Sequence, residues 1–163
     1  WVPSDSIFSD FKIGDTLEYS EQTISIFSNI CNHLIQCDGV FLVVDYGNTS
    51  GIGDTLQAVN KHKFKSILEK PGQSDLSSHV NFMLLKEIAT KNNLYVSKVK
   101  EQQKFLLELG IMERLKSLTK NASSAIAQKL VSEIKRLIDP DKMGTLFKVI
   151  AVTKNKRHLE GLS

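Results

Sequence analysis

The sequence predicts an α/β fold, and three observations carry that prediction. Two short, nearly continuous apolar runs rich in β-branched residues stand at VFLVV (residues 40–44) and TLFKVIAV (145–152). A third stretch, LYVSKV (94–99), alternates in the manner of a strand. Between these runs the apolar residues recur at helical spacing. Continuous apolar runs suit strands buried on both faces of a parallel sheet.

Taken in order, residues 1–19 are mixed, with Pro3, Gly14 and several aspartates, and predict irregular structure or a short hairpin. Ser20 is placed to cap a helix over 20–36, where Ile24, Phe27, Cys31 and Leu34 share one face. Gly39 ends the connection into the strand at 40–44. Residues 47–76 show no period and hold Gly47, Gly51, Gly53, Gly72 and Pro71, which predicts a long irregular loop of the kind that serves binding. A helix resumes near Ser77, with Val80, Leu84 and Ile88 in step and Asp75, Ser77 and Ser78 as candidate caps; it frays at Asn92–Asn93.

After the strand at 94–99, a short helix over 102–109 stops at Gly110, which suits a left-handed position. Another helical turn or two covers 112–120. A longer helix over 123–138 places Ile126, Leu130, Ile134 and Leu137 on one side, and Asp139-Pro140 halts it. The last strand follows at 145–152, then a polar tail. Three strands make a thin sheet for 163 residues, so the chain reads as part of a larger sheet.

Composition narrows the function classes. Hydrophobic residues at 41% and charged residues at 24% are ordinary for a soluble globular domain. A net charge of +3 from scattered lysines gives no argument for a nucleic-acid partner. No apolar run has the length of a membrane span, and no secretory pattern opens the chain. Cys31 and Cys37 fall on one helix and point differently, which fits a reduced, intracellular protein. The first residue is Trp1, so the expectation is a fragment or a processed product.

The stretch DYGNTSGIGDTLQAVNKHKF (45–64) follows a strand and is rich in glycine, which invites a phosphate or nucleoside cradle. The dinucleotide fingerprint needs a third glycine on a turn running directly into a helix, and Leu56 stands in that place. Tight turns are the simpler explanation of these glycines. Asp45 stands at the carboxyl end of a strand, where open α/β sheets place their crevice, and it could equally cap the following turn. Asp45, Asp54, His62 and His79 together would suit a metal hydrolase, but they lack the paired spacing of a zinc site. Neither Ser66 nor Ser78 sits in a nucleophile elbow.

The segments FLVVDYG, GDTLQAVNKHKF, PGQSDLSSHVNF, FLLELGI and DPDKMGTLFKVIAVT, in this order and spacing, resemble the carboxy-terminal half of the MidA-like family of S-adenosylmethionine-dependent methyltransferases. The resemblance covers about 40–153. It implies strands five to seven of a class I, Rossmann-like methyltransferase sheet, with the last strand antiparallel between the other two and a long loop and helices inserted. It also implies a protein arginine methyltransferase that assists respiratory complex I assembly in mitochondria, with bacterial cytoplasmic relatives. The glycine-rich cofactor loop of that family precedes the part matched, so no cofactor-binding residue is expected in this chain, which would be inactive without an amino-terminal half.

The same resemblance implies acceptor-side or loop roles for Asp45, Tyr46, Gly47, Gly53, Asp54 and Thr55, then for His62, Pro71, Gly72, Asp75 and His79. One departure stands out: the family usually reads His-Val-Asp-Phe where this chain has HVNF, so Asn81 replaces an acid. The implied partner is a protein substrate, with a complementary amino-terminal half or self-association as further expectations. A non-catalytic interaction module from a split or decayed gene is the competing reading.

Overall fold

The computed structural model describes residues 12–162. The expected irregularity at the amino terminus holds for 12–20, whereas residues 1–11 lie outside the described residues. Helix α1, Glu21–Cys37, is capped by Ser20, whose hydroxyl accepts from Thr23 N–H at 3.2 Å. It buries Ile24, Phe27, Cys31 and Leu34, the face the spacing predicts. Cys31 is buried and Cys37 exposed, both free, and burial pushes the Cys31 thiol pKa up.

The main sheet is built around strands β1 (Val40–Asn48) and β8 (Phe147–Thr153), which pair antiparallel with Val40 opposite Thr153 and Tyr46 opposite Phe147. On the other side of β8 lie β6 (Tyr95–Val96) and β7 (Lys100–Glu101), also antiparallel to it. The order β1–β8–β6, with the last strand reversed between its neighbours, is the arrangement the resemblance implies. The expected strand at 94–99 is split in two. Between its halves Ser97 keeps its backbone bond to Ala151 O, and its hydroxyl accepts from Ala151 N–H, both at 2.9 Å.

The expectation of a parallel strand buried on both faces fails for β1. Its one parallel neighbour among the described residues is β5 (Val80–Asn81), joined at Gly47 and Asn48. On one face Phe41 and Val43 pack on the core formed by α1 and by α2 (Phe82–Lys91). On the other face Val40, Leu42 and Val44 remain 46%, 45% and 44% exposed. Strand β8 is different: Val149, Ile150, Ala151 and Val152 are all buried, because α3 (Gln102–Glu108) and the tail cover its second face. That cover stops short of β1.

Helix α2 starts five residues later than its spacing suggests, and none of the candidate caps holds it. Asn81 does, accepting from Leu84 N–H at 3.1 Å. An amide caps as well as a carboxylate, so the acid-to-amide departure at this position leaves the cap intact.

The long irregular loop is also corrected. Residues 57–77 form a small antiparallel sheet of β2 (Gln57–Asn60), β3 (Lys63–Lys65) and β4 (Asp75–Ser77), in the order β3–β2–β4. The β2–β3 turn is Lys61-His62, both at positive φ, rather than the Asn-Gly pair that announces such hairpins. All of β3 is exposed, so no apolar alternation marks it either.

Helices α4 (Ile111–Thr119) and α5 (Ser124–Ile138) match their sequence signals, with Gly110 at φ 79° and Ser123 as the α5 cap. Among the described residues no helix is long and apolar enough to cross a membrane.

Candidate functional site

Strand β1 delivers Asp45, Tyr46 and Gly47 to the carboxyl edge of the sheet, and His79, the residue before β5, stands beside Tyr46. The Tyr46 and His79 rings meet edge-on with centroids 5.7 Å apart, and Phe147 meets Tyr46 from β8 at 5.8 Å. Such edge-to-face contacts hold rings in fixed orientation. Asp45 turns back on its own strand, its Oδ1 accepting from Tyr46 N–H at 2.8 Å. Asp45 and Tyr46 both lie within β1, so this bond is internal to the strand and caps no following turn.

Gly47 is not a flexible point. A β-carbon there would strike the Val80 carbonyl oxygen and lie 2.8 Å from the Phe82 ring. Its lack of a side chain is what lets β5 pair with β1. Gly51 does the same for Asn81, whose amide would collide with any side chain there.

Thr55 is the hub of the loop. Its N–H donates to Glu18 Oε1 at 2.8 Å and its hydroxyl donates to Glu18 Oε2. The same hydroxyl accepts from His79 N–H at 2.8 Å. Gly53 N–H donates to Thr16 O at 3.0 Å, and Leu17 bridges Ile52, so the loop is fastened along the segment that leads into α1. His79 thus bonds to the loop through its backbone N–H and precedes α2.

Glu18, Ser20, Thr23, His79, Asn81 and Leu84 line a crevice of about 470 Å³. Its size suits a side chain or small ligand. Glu18 and Phe147 are the residues that sequence reasoning missed. Glu18 lies 37 positions from Thr55, and no local pattern links the two.

The remaining expected residues do not join this group. Asp54 is exposed beside it; His62, Pro71, Gly72 and Asp75 belong to the β2–β4 excursion. Among the described residues no three of His, Cys, Asp or Glu converge as a metal site, so the Asp45, Asp54, His62 and His79 constellation is not assembled.

The cofactor implied by the resemblance can be tested against this geometry. A glycine cradle needs empty space over its backbone for the ligand. At Gly47 and Gly51 that space is filled by Val80, Phe82 and Asn81 of the same chain. Gly47 and Gly51 are therefore closed by their own chain and do not themselves form such a cradle.

Two solved structures from Burkholderia thailandensis share this fold. One is an uncharacterised superfamily member, 22% identical with a TM-score of 0.76, covering 93% of this chain and 42% of that one. The other, solved with S-adenosyl-homocysteine bound, is 24% identical with a TM-score of 0.76, covering 90% and 39%. Both establish the likeness of fold.

Residues 3–100 match the family described as "Putative S-adenosyl-L-methionine-dependent methyltransferase", and the chain belongs to that family. Among curated relatives, the protein arginine methyltransferase NDUFAF7 homolog, mitochondrial, of Drosophila melanogaster is 32% identical over 137 residues. That alignment takes in 83% of this chain and 31% of the relative. The Homo sapiens protein arginine methyltransferase NDUFAF7, mitochondrial, is 28% identical over 157 residues, covering 96% and 35%. The chain thus spans about a third of the length of the relatives it matches.

Proposed function

We propose that this chain is the carboxy-terminal, acceptor-side part of a protein arginine methyltransferase, and that the methyl donor is held by protein outside it. The observation carrying this reading is the crevice lined by the start of α1, β5 and α2, where Glu18, tied to Thr55, faces the same space as His79. Methyl transfer depends largely on holding donor carbon and acceptor nitrogen close and in line. An acceptor guanidinium is best held by a fixed carboxylate through charge-assisted hydrogen bonds. Each Glu18 oxygen accepts from Thr55 and keeps a second lone pair for that purpose. Thr55 and His79 act on orientation: the first fixes the carboxylate, the second walls the crevice with Tyr46 behind it.

The donor itself would be supplied by the remainder of the protein, which fits the filled space over Gly47 and Gly51. The names of the relatives support a protein substrate and a mitochondrial location; a bacterial member would work in the cytoplasm. In a methylation assay of the complete protein, Glu18→Gln should lower kcat/KM by about 10–100-fold, the worth of one hydrogen bond to a charged group. Unchanged kinetics with an intact fold would remove Glu18 from the acceptor site.

One observation favours the competing reading of a non-catalytic, self-associating module: the uncovered apolar face of β1 at Val40, Leu42 and Val44. Exposed apolar faces and strand edges invite pairing. Light scattering separates the readings, because an interaction module would form a defined oligomer without any amino-terminal half.

A further inference from the structure

The β2–β4 excursion carries a second cavity, separate from the crevice. Neighbouring strand positions place Asn60 opposite Lys63 and Ala58 opposite Lys65, so Lys63 and Lys65 project from one face of the small sheet. The connection 66–74 is held against that face by Asn60, whose amide donates to the Gln73 carbonyl. Together they enclose about 390 Å³, lined by Lys61, Lys63, Lys65, Lys70 and one acid, Glu69. Glu69 is engaged by Lys65 at 3.0 Å. Among the described residues Lys61, Lys63 and Lys70 have no carboxylate within ion-pair distance.

Folding does not account for this concentration of charge. Lys61, His62 and Lys70 hold φ of 49°, 61° and 49°, a region where glycine or asparagine is at ease and lysine is strained. Three ammonium groups without counter-charges also repel one another. Both effects oppose the placement, and a multiply charged anion would offset both.

We propose that this cup binds a compact polyphosphate group, a chain of linked phosphates. Lysine is a compact point charge that binds phosphate without fixed geometry. The lining holds no aromatic ring on which a base could stack, so recognition falls on the phosphates. A free polyphosphate and the tail of a nucleotide share this chemistry.

The test is calorimetric titration of the intact protein with inorganic tripolyphosphate, and separately with ATP. The expected result is one-to-one binding that weakens as salt rises from about 50 to about 200 mM. Binding of both ligands would identify a nucleotide tail as an acceptable source; binding of tripolyphosphate alone would point to the free anion. Lys63→Gln with Lys70→Gln should weaken binding by about tenfold or more, each charge-assisted contact being strong. Lys61→Gly should weaken binding while holding or raising the thermal midpoint, because it relieves the left-handed strain. Absence of one-to-one binding would overturn the proposal. So would an equal loss in Lys116→Gln with Lys120→Gln, which lie at α4 and do not line the cup.

Discussion

At Gly47 the backbone of Val80 approaches so closely that a methyl group would have to displace β5 or the Phe82 ring. Gly47→Ala should therefore cost about 1–3 kcal/mol, the usual penalty for overpacking a tight contact, read as a fall in the urea midpoint. Asn81 is the cap of α2, so Asn81→Ala should cost about 1 kcal/mol while Asn81→Asp stays close to neutral. A large loss in Asn81→Asp would show that the amide hydrogens, and not the capping oxygen, are what the position needs. These roles were only partly legible in the sequence. Asp45, Tyr46 and Gly47 stood out because they follow an apolar run. Glu18 did not, since its partner Thr55 is distant in the chain and becomes a neighbour only when the loop folds along residues 16–18.

At the scale of elements, helices with strong spacing and clear caps were readable to within a residue or two: α1 and α5 follow their signals. The small sheet at 57–77 was not, because its turn uses Lys-His and its strands bury little. A contact between elements gives the pH prediction. Arg157 in the tail donates to Asp38, at the end of α1, at 2.6 Å. That hydrogen bond is the leading reason the Asp38 carboxyl titrates below its ordinary value. A lowered folded pKa means stability that is present above the ordinary carboxylate range and lost as pH falls through the folded value. The urea midpoints of the native chain and Asp38→Asn should therefore differ at pH 7 and converge in acid. A gap that persists below the folded Asp38 pKa would contradict this linkage.

For the whole molecule, the order of β1, β8 and β6 explains both what is complete and what is not. Strand β8 is flanked and covered on both faces, whereas β1 has a parallel neighbour only at Gly47–Asn48 among the described residues and an apolar face without cover. The stretch matched is about a third of the relatives' length. The apolar run at 40–44 was correctly read as a strand, but only its Phe41 and Val43 face is packed, and Val40, Leu42 and Val44 stay exposed. Central to this account is that the chain supplies the acceptor side of a methyltransferase and no donor cradle. The direct measurement is calorimetric titration of this chain with S-adenosylmethionine, beside the same titration of the complete protein. The account predicts stoichiometric binding by the complete protein and none by this chain; tight one-to-one binding by the chain alone would contradict it.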